Sequence, residues 1–142
     1  MATAVIYNSF RTRQLNGNAI NFTSDTIKVA LLTSSYTPSV SAHVFFSDLT
    51  NEVVGAGYTT GGVALTGLAV NQDNVGNDTT VAASNPSWAS STITARYAAV
   101  YKSTGTAGTS ALIGYIDFGG NKTTNGDTFL IQLAAAGLLE LA

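Results

Sequence analysis

The chain contains no cysteine, one histidine, and only six Lys or Arg and eight Asp or Glu among 142 residues. Without cysteine there are no disulfides and no thiolate metal sites, and the redox compartment stays open. At 10% the charged fraction is far below the usual level of roughly a quarter, so few side chains suited to acid–base catalysis are present. The net charge of −2 supplies no basic footprint, and no nucleic-acid-binding face is expected. No apolar run approaches the roughly 18 residues a membrane-spanning helix needs, so no membrane partner is expected. The segment Met1-Ala-Thr-Ala-Val-Ile-Tyr7 lacks a basic stretch followed by a long apolar one, so no secretory leader is expected. Synthesis in the cytoplasm and a soluble chain follow as expectations.

What fills the chain instead is Thr, Ser, Gly, Asn and Ala, threaded with short apolar runs. A hydrophobic fraction of 45% over 142 residues suffices for one domain, residues 1–142, with a buried core. A monomer normally relies on charged surface to stay dispersed. With so little charge here, part of the neutral surface is expected to be covered by another chain.

Residues 3–15 carry Ile6 and Phe10 at helical spacing, and Asn16-Gly17 supplies a stop, so a short helix is expected within an N-terminal segment 1–24. Ile27, Val29 and Leu31 alternate with Lys28 and Ala30 as in a strand, although Leu32 makes the second face apolar too. Residues 34–41 read as loop and 42–53 as a short helix or irregular segment. After the glycines at 55, 57, 61 and 62 the pattern turns to β. Strands are expected at 63–68, 79–83, 92–102, 111–118, 128–133 and 138–141, and the last pair has the spacing for a hairpin around Gly137. Turns are expected at 71–78 and 119–127, with a break at Asn85-Pro86. Short strands separated by Gly/Asn turns predict a mainly β fold, a single-domain β-sandwich or a partly closed, jelly-roll-like barrel, with one or two short helices in the N-terminal third.

Few constellations carry chemistry. His43 has Asp48 and Glu52 nearby in sequence, but no Gly-x-Ser-x-Gly elbow exists, and packing beside Phe45 or Phe46 is the expected role. The oxygens of Asp73-Asn-Val-Gly-Asn-Asp78 fit a turn better than a calcium loop. Gly119-Gly-Asn-Lys-Thr-Thr124 lacks phosphate-loop spacing. Tyr97, Tyr101, Tyr115 and Phe118 could stack a sugar, although strand spacing favours core or subunit interface. Arg96, mid-strand among small residues, needs a partner, Asp117 on the next strand or an acid on another subunit. No cofactor and no catalytic residue is expected.

Nine segments stand out together: Met1-Ala-Thr-Ala-Val-Ile-Tyr-Asn-Ser-Phe10, Asp25-Thr-Ile-Lys-Val-Ala-Leu-Leu-Thr-Ser-Ser-Tyr-Thr-Pro38, His43-Val-Phe-Phe46, Thr50-Asn-Glu-Val53, Gly57-Tyr-Thr59, Gly61-Gly62, Thr94-Ala-Arg-Tyr97, Val100-Tyr-Lys102 and Leu112-Ile-Gly-Tyr-Ile-Asp-Phe-Gly119. On these the chain resembles a family of small virion proteins of tailed bacteriophages. The apolar end, residues 133–142, departs from the family pattern. The resemblance implies a non-enzymatic capsid decoration (cement) protein, a homotrimer on the virion surface bound to the major capsid protein. The alternative is a neck or tail component, or a module contacting host glycans. By this analogy Ile6, Phe10, Arg11 and Arg13, in a possible docking arm, and Arg96 are the expected partner-binding residues.

Overall fold

Three of the expected strands lie side by side at the centre of the molecule. In the computed structural model, which describes residues 2–141, these are β2 (Ile27–Leu32), β7 (Thr94–Lys102) and β8 (Leu112–Thr123). With β1 (Val5–Ile6) and β3 (Val63–Ala64) they form an open antiparallel sheet in the order β1-β8-β7-β2-β3. Two smaller sheets complete the fold. One runs β10-β5-β4 (Leu139–Leu141, Asp78–Ala82 and Ala69–Asp73), and the other pairs β6 (Ser87–Ser91) with β9 (Asp127–Leu130). Strand makes up 44% of the chain and helix 10%, and no barrel closes, which leaves the sandwich of the two expected architectures.

Register explains how the layers meet. Val29 pairs with Val100, Leu31 with Ala98, and Ala98 with Ile116. Paired residues point to the same face, so these side chains share the inner face of the large sheet. They pack into one cluster with Val81, Leu138 and Leu139 beside the three-stranded sheet and Trp88 and Phe129 from the two-stranded one. The alternate residues Ala30, Leu32, Ala99 and Tyr101 are also buried, under Tyr7, Tyr36, Val40, Phe46 and Leu49. Both faces of β2 are therefore covered, and this is why Leu32 breaks the simple alternation.

Several expected elements shift. The helix, α1, spans Asn8–Leu15 and ends at Asn16 as expected, but Ile6 belongs to β1 and pairs with Gly114. The ladder persists one residue further, since the Tyr7 amide donates to the Ile113 carbonyl at 3.1 Å. Residues 42–53 hold only a single 3-10 turn at Phe46–Asp48. The expected strand at 63–68 shrinks to Val63–Ala64, and the expected turn at 71–78 contracts to four residues between β4 and β5. β6 was not anticipated. β8 continues into the expected turn at 119–127 as far as Thr123, leaving 124–126 as the turn before β9: Ala95 faces Lys122 while Tyr97 faces Asp117, so Arg96 alone opposes residues 118–121 in a bulge. The terminal strand pairs with β5 instead of closing a hairpin with 128–133. Gly137 (φ 109°) makes the turn into it, and a Cβ there would collide with the Val81 carbonyl.

Candidate functional site

The polar chemistry of this chain collects on the outer face of the large sheet. Tyr7, just before α1, and Tyr36 and His43, in the segment that crosses that face, form a hydrogen-bonded file. The Tyr7 and Tyr36 hydroxyls are 2.9 Å apart, and the Tyr36 hydroxyl lies 2.8 Å from His43 Nδ1. Burial raises the Tyr7 and Tyr36 hydroxyls above the ordinary phenol range. Asp48 is turned elsewhere: one of its oxygens accepts the Val44 and Phe45 amides, both at 2.9 Å, and those bonds hold its carboxyl below its usual value. His43 and Asp48 thus serve separate local structures, and no nucleophile–base–acid relay is assembled from them. His43 stacks near Tyr36 and Tyr7, with ring centroids 5.5 and 6.5 Å away, which corrects the expected partners Phe45 and Phe46.

A second knot ties the edge at β3. Glu52 accepts the Tyr58 hydroxyl at 2.5 Å and the Gly61 amide at 2.7 Å, while Tyr58 itself accepts the Leu31 amide at 3.0 Å. The Tyr101 hydroxyl donates to the Gly61 carbonyl at 2.6 Å. Burial pushes Tyr58 upward, its bond to Glu52 adding to the rise, and lifts Tyr101 to about 12. The bonds to Leu31 and Tyr101 span 27 and 40 residues, and no periodic pattern in the sequence marks them.

The four aromatics Tyr97, Tyr101, Tyr115 and Phe118 do not form one platform. Tyr101 is buried against Phe46, with centroids 4.6 Å apart, and Phe118 turns toward Phe129, 5.9 Å away. Tyr97 and Tyr115 remain together, half-buried and edge-on at 6.4 Å. Beside them Arg96 binds Asp117 through two contacts, 2.7 and 3.3 Å long, and its guanidinium lies 5.3 Å over the Tyr97 ring. The intrachain pairing weighed from the sequence is the one that forms. Each partner shifts the other: Asp117 holds Arg96 upward and Arg96 holds Asp117 downward. Val5, paired with Tyr115 and 48% exposed, extends this margin with an apolar side chain.

The N-terminal candidates divide. Ile6 and Phe10 are buried in the core, so the expectation that they contact a partner is corrected for both. Ala4, Ile20 and Phe22 join them there, which anchors the segment along its length in place of a free arm. Arg13 lies over the Phe45 ring at 5.6 Å, and Arg11 is exposed on α1. The Asp73–Asp78 segment is a hairpin turn, with Asp73 Oδ1 accepting the Val75 and Gly76 amides at 2.8 and 3.0 Å. Among the described residues no cluster of three or more His, Asp or Glu is arranged to hold a metal. Gly119-Gly120 lies in the β8 bulge, not in a phosphate-binding loop.

A groove of about 630 Å³ separates β8 from β9. Its apolar floor includes Ile116, Phe118 and Phe129, and Thr124, Lys122 and Gln132 stand on its walls. Comparison of the chain with protein-family models, with curated proteins and with solved structures finds no match.

Proposed function

We propose that this protein is a non-enzymatic structural component of a phage virion, a decoration protein that binds the major capsid protein and stabilises the shell as a homotrimer. The observation that carries this reading is the division of labour among its side chains. Tyr7, Tyr36, His43, Asp48, Glu52 and Tyr58 are engaged in internal bonds, whereas much of the exposed surface is uncharged. On that surface Leu15, Val54 and Val75 stand 88%, 93% and 93% exposed. A shell subunit works through many weak contacts multiplied by symmetry, and it requires neutral, rigid surface in place of a reactive centre. Arg11, exposed on α1, is the residue of the N-terminal segment best placed to reach a neighbouring protein.

Quantitative mass spectrometry of purified virions tests the proposal. A copy ratio to the major capsid protein of roughly one to one supports decoration; about six to eighteen copies per particle points to a neck or tail ring. Absence from the particle overturns both. A second reading, contact with host glycans, draws on the half-buried Tyr97 and Tyr115 beside Arg96, since aromatic rings with a polar neighbour suit sugar stacking. It predicts that Tyr97→Ala abolishes retention on host envelope glycans while the fold persists.

A further inference from the structure

Two of the unpaired strand edges among the described residues have complementary surroundings. β8 is bonded to β7 along one side, but on the other side β1 covers only Gly114 and Tyr115. From residue 116 to 123 no described strand pairs with that side, and it borders the groove before β9. The second free edge belongs to β4, whose only partner among the described residues is β5. The β4–β5 hairpin projects from the core: residues 70–77 are exposed, Val70 is 49% open and Val75 93%. A free edge of this kind is a template for pairing with another chain.

Charge separates the two places. Asp73 and Asp78 face each other across the hairpin, and Glu140 on β10 is held upward by its contact with Asp78 and the nearby Asp73 charge. None of these three carboxylates has a Lys or Arg within salt-bridge distance among the described residues, because the two ion pairs there are Arg96–Asp117 and Lys102–Asp25. The groove wall carries Lys122, likewise without an acidic partner. Two acidic hairpins would repel each other, whereas a hairpin meeting Lys122 would not.

We propose that the β4–β5 hairpin of one copy seats in the β8–β9 groove of a second copy, its free edge extending the large sheet and its carboxylates meeting Lys122. Donor and acceptor are different surfaces of the same chain, so the contact is head-to-tail, and a trimer forms where the rotation between copies closes it as a ring instead of a filament. This deepens the trimer part of the proposed function, yet it is tested in solution, without particles. Copy number in virions and the contact described here can therefore fail separately.

The lack of native cysteine makes crosslinking direct. Val75→Cys and Thr128→Cys proteins, the second thiol on the groove beside Lys122, mixed in a thiol redox buffer, should form a mixed disulfide between copies, and Val75→Cys with Leu15→Cys should not. Sedimentation should find a closed oligomer for the unmodified chain. Lys122→Glu should weaken association about tenfold, and Asp73→Lys combined with Lys122→Glu should restore it. A chain that stays monomeric at the highest soluble concentration overturns the proposal. So does an oligomer indifferent to Lys122→Glu, or Val75→Cys linking mainly to itself, the mark of a two-fold hairpin contact. Circular dichroism of each variant separates lost association from lost fold.

Discussion

The large sheet is buried on both faces, but by different chemistry. Its inner face meets two small sheets through chiefly aliphatic and aromatic side chains: Val29, Leu31, Val100 and Ile116 against Val81, Leu139, Trp88 and Phe129. Its outer face lies under an irregular segment that brings polar tips with it, chiefly the Tyr7–Tyr36–His43 file. A regular sheet satisfies its own backbone before it packs, so its contact can be wholly apolar. A crossing segment without a ladder needs side-chain hydrogen bonds to fix its path. The inner face should therefore carry most of the stability, and the outer face most of the uniqueness of the covering segment.

The largest effects should come from the inner face. Trp88→Ala removes a side chain that is 3% exposed and wedged against Phe129 and Tyr58, and it should cost about 3–5 kcal/mol in urea unfolding. Leu31→Ala, at a fully buried position, should cost about 2–5 kcal/mol. If either costs less than a tyrosine hydroxyl on the outer face, the contrast is wrong. Tyr36→Phe comes next. It leaves the buried Tyr7 hydroxyl without its partner, a loss of about 1–3 kcal/mol. Adding Tyr7→Phe should recover part of that loss, since removing both hydroxyls leaves neither orphaned; strict additivity would mean the two do not act as a pair.

The sequence made the inner face legible and the outer face opaque, for a physical reason. Strand periodicity records which residues point inward, so β2, β5 and β7 could be located within a residue or two. The helix stop at Asn16-Gly17 was equally local. The Arg96–Asp117 pair was foreseeable because one charge lay mid-strand in each of two neighbouring runs. In contrast, the Tyr7–Tyr36 bond spans 29 residues and depends on how a loop crosses a sheet, and nothing periodic encodes that path. The bulge misled for the opposite reason: Gly119-Gly120-Asn121 has turn composition, but pairing resumes at Lys122, so tertiary pairing overrides local preference there. Ile6 was misassigned because one turn of apparent helical spacing, Ile6 to Phe10, is also compatible with a strand followed by a helix.

Alkali should loosen the outer face more than the inner one, where Tyr58, packed against Trp88, is the one tyrosine raised by burial. Burial raises Tyr7, Tyr36 and Tyr101, all on the outer face, with Tyr101 reaching about 12. Their folded values exceed the unfolded phenol value of about 10, so their contribution is complete below that pH and is lost as pH rises through the folded values. The urea midpoint should decline from about pH 10 upward, with phenolate absorbance following unfolding instead of preceding it. The decline should be shallower in Tyr36→Phe. A midpoint unaffected by alkali would show that these hydroxyls are accessible.

The smallest effect should come from the exposed margin, where Arg96 and Asp117 meet. The pair is short, but both side chains face solvent, and such pairs contribute little because water and salt screen them. Arg96→Ala should move the unfolding midpoint less than Tyr36→Phe does, and high salt should erase the difference. Asp117 has a second duty, however. Its Oδ1 accepts the Gly119 amide at 2.8 Å, which helps hold the first residues of the β8 bulge where Gly119 adopts φ 80°. Asp117→Ala removes both bonds and should therefore cost more than Arg96→Ala, while Asp117→Asn keeps an oxygen for the amide and should fall between them. Because Arg96 and the Gly119 amide both hold the Asp117 carboxyl low, its stabilisation is present above the unfolded value and fades as pH falls through the folded one. Equal losses for Arg96→Ala and Asp117→Ala would mean that the ion pair alone matters and the bulge holds its shape unaided.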